Sequence, residues 1–353
     1  MSVERVFELV RHLTERDREI VMCLFEQQVL TTGQLALLFF SSRRRAQDRL
    51  LFLYRERVVD RFYPPSRFGA GKPQAHWLLD EAGALLVAAM LGVDRKRLGW
   101  QRREDWSSHP QLAHRLESNR FVTDLIAATL PDPALGVTAW YSTRDAAERL
   151  LGDRASEYVR PDAGFILDTA RGPIECYLEW DRGTETGERL SWKLDGYRLA
   201  EGRLHFDATE ACNVLFVVPG PGRIPTLRRG YEELEPRRER HRESSRLVSL
   251  DGRWPLLVTT VADLGRAGPL GRIWQSITDV DEPPRALAEL PARTDLGRTD
   301  LGVALGRRWR HDRAGFWERL SPLGRVPAAA DLRPSEIAGF MDDPEPDEEG
   351  SWR

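Results

Sequence analysis

The sequence predicts an α+β protein of two main domains, a helical N-terminal module closed by a hairpin and then a mixed α/β domain. Three observations carry this expectation. The chain has 353 residues, against roughly 150 for a typical domain. Residues 13–90 alternate capped helical periods with two short strand-like runs. From residue 111 an amphipathic helical period gives way to apolar runs of strand length. A hydrophobic fraction of 41% can fill two ordinary cores.

The N-terminal elements follow in order. Thr14 stands where it can cap a helix, with Asp17 three residues on as its capping-box partner. Ile20, Val21, Leu24 and Phe25 then recur at helical spacing. Thr31-Thr32 caps a second, short helix, TGQLALLFF, and Ser41-Ser42 caps a third, RRRAQDRLLFLYRER. In the third, Ala46, Leu50, Leu53 and Tyr54 make an inward stripe. VVDRFYPP and AHWLLD read as two strands joined by the glycine-containing loop SRFGAGKPQ, and EAGALLVAAMLG closes the module as a helix. The module spans 1–92, and 93–110, charged and with two tryptophans, reads as a linker or a helical bridge.

The second domain is expected over 111–278. HRLESNRFVTDLIAATL is an amphipathic helix and ALGVTAWYS a strand. SEYVRPDAGFILD and GPIECYLEWD are two further strands around a tight turn at Thr169–Gly172. GERLSWKLDGYRLA is a helix, and ACNVLFVVPG has the unbroken apolar character of a strand buried on both faces. The order is helix–strand–strand–strand–helix–strand. RWPLLVTTVADL adds a strand and a helix. From 279 the chain is rich in Pro, Gly and charge and ends in an acidic tail, read as disordered.

Composition excludes several function classes. Cys23, Cys176 and Cys212 form no CxxC pair, so neither a disulfide framework nor a cysteine zinc site is indicated. The histidines show no HExxH or Cys/His spacing, and their scatter disfavours a relaxase that groups histidines around a metal. There is no GxxxxGK[ST] loop, so no nucleotide cofactor is expected. The first residues are charged and no apolar run reaches the ~18 residues of a membrane span. The expected location is the cytoplasm, away from membranes.

Net charge is −3, so any nucleic-acid surface must be local. Residues 41–61 supply it: seven arginines against two aspartates and one glutamate, a local +4. Arg43, Arg44 and Arg45 sit at the N-terminal end of the third helix, with Arg49 about a turn later. The hairpin loop adds Arg67 and Lys72. Three helices and a basic hairpin are the order of a winged helix-turn-helix, in which one helix enters the major groove of double-stranded DNA. A solvated helix face and a purely protein-binding winged helix are the alternatives. A homodimer on two half-sites is compatible with such a module.

LTERDREI, VLTTGQLALLFF, SSRRRAQDRLLFLYRERVVDRF and HWLLDEAGALL resemble the N-terminal half of the replication-relaxation family. The likeness resumes in VRPDAGFIL, YLEWDRGTE and the KLDGY helix. That resemblance implies a protein of a plasmid or integrative element, acting in replication, mobilisation or relaxation of DNA.

The second domain's carboxylates point to phosphodiester chemistry. Alternation along GPIECYLEWD puts Glu175, Tyr177, Glu179 and Asp181 on one face. A hairpin would bring Asp162 toward Glu179 and Asp181, an oxygen set suited to a hard divalent cation. The pattern is similar to the PD-(D/E)xK nucleases. That resemblance implies Asp162 and Glu179 as metal ligands, Glu117 on the preceding helix as a third, and Mg²⁺ as cofactor. It departs at the lysine, because Asp181 stands two residues after Glu179. Lys193 on the next helix is then the electrostatic group. The implied activity is a DNA nickase or endonuclease. A solvated strand face, a polar turn at Asp181, and a non-enzymatic DNA-binding factor with a degenerate nuclease-like domain stay open.

Overall fold

The computed structural model describes Leu9 and residues 11–64, 73–151, 159–204, 212–233 and 254–293. The described residues divide into two compact units, the first from Leu9 to Leu112 and the second from Ala113 to Arg293.

The first unit starts with α1 (Glu15–Gln27). Its Thr14 cap and Asp17 exchange hydrogen bonds as the sequence predicts. β1 (Leu30–Thr31) leads into α2 (Thr32–Phe39), capped by Thr31 with Gln34 completing the box. α3 (Arg43–Arg55) is capped by Ser42. β2 (Val59–Phe62) and β3 (His76–Leu79) form the antiparallel hairpin. β1 adds to the free edge of β3, so the sheet order is β1-β3-β2. α4 (Glu81–Leu91) ends at Gly92, whose positive φ of 63° is the left-handed stop that glycine supplies. A 3₁₀ turn (Arg95–Leu98) and α5 (Arg103–Ser107) follow. The stretch 93–110 is thus a folded part of this unit. Trp100 donates from its indole to the Leu79 carbonyl and Trp106 is buried.

α3 is held by its inward side. Ala46, Leu50 and Leu53 are fully buried, while Tyr54 is only half-buried with its ring edge against Trp77. Burying each leucine contributes about 1.5–3 kcal/mol. A second attachment is polar. Arg49 donates to both oxygens of buried Asp17, at 2.9 and 2.5 Å, and to the His12 carbonyl. Removing Arg49 would strand a buried carboxylate. Arg49→Ala is therefore expected to lower unfolding free energy by about 2–3 kcal/mol in urea titration, against under about 0.5 for Arg44→Ala.

The second unit is a seven-stranded sheet, order β10-β9-β8-β7-β6-β5-β4. α6 (Leu112–Thr129) precedes β4 (Gly136–Tyr141), and α7 (Thr143–Leu151) stands between β4 and β5 (Ala163–Thr169). β5 turns tightly into β6 (Gly172–Trp180). The turn is at Thr169–Gly172, where Gly172 has φ 120°. α8 (Gly187–Leu204) is the crossover to β7 (Cys212–Val218), which runs parallel to β6 as such a connection allows. α9 (Ile224–Glu232) follows. β8 (Leu256–Thr260), parallel to β7, leads into α10 (Val261–Ala267). β9 (Arg272–Ser276) and β10 (Arg285–Ala286) complete the sheet. The sheet therefore continues past the expected boundary at 278. Arg293 ties this last stretch down by donating to buried Glu175. All three cysteines are buried thiols, as expected of small core residues.

β6 is buried on both faces, so the alternative of a solvated strand face is overturned for Glu175 and Glu179. α8 packs Leu190, Leu194 and Tyr197 into one core with Tyr177 and Phe216.

Candidate functional site

Two constellations stand out, one in each unit. In the first unit α3 presents Arg43, Arg44 and Arg45 to solvent at its N-terminal end. Arg45 donates to the Ser41 hydroxyl at 3.1 Å, and none of the three guanidiniums has a carboxylate partner among the described residues. Arg49 differs: its pair with Asp17 makes it a strut of the fold, its guanidinium also over the Phe52 ring. Arg67 and Lys72 lie outside the described residues.

In the second unit the strand ladder sets the carboxylates. Asp162 precedes β5, and its backbone N–H donates to the Leu178 carbonyl, continuing the β5–β6 pairing. Its Oδ2 accepts from the Trp180 N–H at 2.7 Å. This brings Asp162 beside Glu179, which is fully buried near the C-terminal end of β6. α8 supplies Lys193, whose Nζ lies 2.8 Å from Glu179 Oε2 and 3.2 Å from Glu185 Oε1. One turn later, the Tyr197 hydroxyl donates to Glu179 Oε1 at 2.6 Å. α6 supplies His114, with Nε2 2.6 Å from Asp162 Oδ1. Arg115 and Thr143 both donate to the Asp162 carbonyl.

Asp162, Glu179 and Lys193 are thus brought together, and two other expected residues are not. β6 ends at Trp180, so strand alternation does not reach Asp181. Asp181 instead accepts from the Gly183 N–H at 2.7 Å and from Arg223 Nε at 2.5 Å. Glu117 faces Arg182 at 3.5 Å. His114 and Tyr197 were missed from sequence. The available signals were helical spacing: His114 lies three residues before Glu117, and Tyr197 four after Lys193.

The electrostatics are those of a buried, internally compensated cluster. Burial pushes Glu179 up to about 7, with Lys193 and Tyr197 opposing and Asp162 reinforcing. Burial lowers Lys193, but Glu179, Asp162 and Glu185 more than offset it and hold the ammonium charged. Burial also lowers His114, and the hydrogen bond and charge of Asp162 leave it raised overall. At the other end of β6, burial raises Glu175, but Arg149 and Arg293 outweigh it and keep it below the ordinary range.

Glu179 gives a pH prediction. Its pKa is raised on folding, so the native state binds the extra proton between the ordinary 4.5 and about 7. The stability tied to this group is full below that window and is lost as pH rises through it, by at most about 1.4 kcal/mol per unit. Denaturant titrations of Glu179→Gln should show a flatter stability profile across the window than wild type.

The Mg²⁺ expectation meets a geometric obstacle. Both oxygens of Asp162 and Oε1 of Glu179 accept from His114, the Trp180 N–H and Tyr197, while Glu179 Oε2 accepts no hydrogen bond among the described residues and has the Lys193 ammonium as an ion-pair partner at 2.8 Å. Among the described residues no group of three or more His, Cys, Asp or Glu is arranged to hold a metal ion. The residues as they stand do not fit the ion.

The molecule is thus an α+β protein whose first unit bears an exposed arginine cluster with no carboxylate partner among the described residues, and whose second bears a carboxylate–lysine network at strand ends. The replication-relaxation family matches residues 22–214, more than half of the chain, and the chain belongs to that family. Comparison with curated proteins and with solved structures returns no match. No helix among the described residues is long and apolar enough to cross a membrane.

Proposed function

We propose that the chain is a double-stranded-DNA-binding protein of a plasmid or mobile element, acting in the cytoplasm in replication or mobilisation. Its first unit is read as a winged helix-turn-helix with α3 as the recognition helix. The observation that carries this reading is the exposed, carboxylate-free cluster Arg43–Arg45 at the start of α3. Exposed guanidiniums that no carboxylate neutralises among the described residues are ready for phosphate or base contacts. Family membership supports DNA as the partner. In arginine-modification mapping with phenylglyoxal, bound duplex should protect Arg43, Arg44 and Arg45. Equal labelling with and without DNA would contradict the assignment.

The convergence of Asp162, Glu179 and Lys193 favours a second reading, in which the other unit cuts phosphodiester bonds. The order helix–strand–strand–strand–helix–strand supports a nuclease-like fold, with α7 as an addition between the first two strands. The closed carboxylate network favours the non-enzymatic alternative. Incubation of supercoiled plasmid with the full chain and Mg²⁺ or Mn²⁺ separates them. Nicking that is lost in Asp162→Ala and Glu179→Ala supports cleavage. An unchanged supercoiled band, or nicking equal in both variants, leaves a DNA-binding accessory factor.

A further inference from the structure

The inference rests on reading α3 as the helix that meets DNA, and it concerns how that helix discriminates sequence. At 100° per residue, the side of α3 opposite Ala46, Leu50 and Leu53 carries Arg44, Asp48, Leu51 and Arg55. Arg44, Asp48 and Arg55 are exposed. Arg44 and Asp48 stand four residues apart, the spacing at which opposite charges pair on a helix. No ion pair forms between them, and no cation partners Asp48 among the described residues. A carboxylate therefore sits, with no cation partner among the described residues, between the arginines of a helix that is basic in a chain of net charge −3.

On a surface that meets a polyanion such a group is costly. Every phosphate repels it, and it weakens the field of the arginines around it. It has one favourable use in the major groove. A carboxylate only accepts hydrogen bonds, and the cytosine N4 amino group is a donor with no acceptor at its side, whereas adenine sets its N7 acceptor next to the N6 donor and would repel the second carboxylate oxygen, guanine offers only acceptors and thymine an acceptor and a methyl group.

We propose that Asp48 is a base-reading residue that selects a C·G pair by accepting from cytosine N4, while Arg43 and Arg45 supply sequence-independent contacts. Asp48 trades affinity for discrimination. Its removal is expected to move the two quantities in opposite directions, which a solvated surface charge would not do.

The test is selection of bound sequences from a random duplex library by the full chain, wild type and Asp48→Ala. Competition against single-base variants of the enriched duplex follows. Wild type should enrich one position for C·G and lose about ten-fold or more in affinity when that pair is changed. Asp48→Ala should lose the preference at that position alone and bind unselected duplex a few-fold more tightly. Asp48→Asn should shift the position toward adenine, whose N7 and N6 suit an amide. If Asp48→Ala keeps every wild-type preference and merely binds all duplexes more tightly, Asp48 is a solvated charge and the proposal is overturned. If wild type enriches nothing and binds no duplex, the reading of the first unit fails, and the assignment of Asp48 with it.

Discussion

Replacing Arg43, Arg44 and Arg45 together by alanine is expected to abolish most duplex binding at moderate salt while leaving the fold intact. Each guanidinium is exposed and no carboxylate among the described residues holds it, so its loss strands no buried charge there. Ser42 still caps α3, and the packing of Ala46, Leu50 and Leu53 is untouched. If each arginine neutralises one phosphate, the slope of log K against log salt becomes shallower by about 0.9 per residue. The three together then give a change of roughly 2.7 and a loss of about a hundred-fold or more near 0.1 M salt. Fluorescence anisotropy over a salt series measures both, with circular dichroism confirming the helices. Arg49→Ala is the informative control. It should lower stability through Asp17 and leave the salt slope nearly unchanged.

The second large effect is on stability. Lys193→Ala removes the cation that compensates fully buried Glu179, and breaking a buried pair by deleting one partner is strongly destabilising. A loss of about 3 kcal/mol is expected at neutral pH, somewhat below the range for wholly buried pairs because Lys193 retains some solvent contact. The cost should grow as pH rises above about 7, where the wild-type carboxylate ionises beside Lys193 while the variant, without that cation to lower the Glu179 pKa, must still hold the proton or bury an uncompensated charge. Combining Lys193→Met with Glu179→Gln should recover much of the loss, since a neutral pair of similar volume removes the charge that must be desolvated. Denaturant titration of Lys193→Met, Glu179→Gln and the double variant gives the coupling. If Lys193→Ala unfolds like wild type at every pH, the internally compensated cluster is not as described.

The residues explain how far sequence reached. Helix starts were legible because caps are local: Thr14 with Asp17, Thr31 with Gln34, and Ser42 each fix an end within four residues. The Asp162–Glu179 juxtaposition was legible because a tight turn and period-two alternation fix the β5–β6 register. What stayed hidden was non-local. β1 is two residues long and exists through its pairing with β3. Arg49 counted as surface charge in the sequence, and only the fold brings Asp17, 32 residues away, against it. Asp181 was assigned a strand face one residue beyond the end of β6, where Arg223 captures it from a distant turn. Burial of Glu179 was equally hidden, because a carboxylate in a strand reads as solvated until a tyrosine and a lysine from another helix cover it.

The central claim is that this member of the replication-relaxation family binds duplex DNA through the exposed end of α3. The most direct measurement is anisotropy titration of the wild-type full chain into labelled duplex at increasing salt. A linear fall of log K with log salt is predicted, with a slope that Arg43→Ala, Arg44→Ala and Arg45→Ala each make shallower by about one. Absence of binding at low salt, or a slope identical in wild type and all three variants, would contradict it.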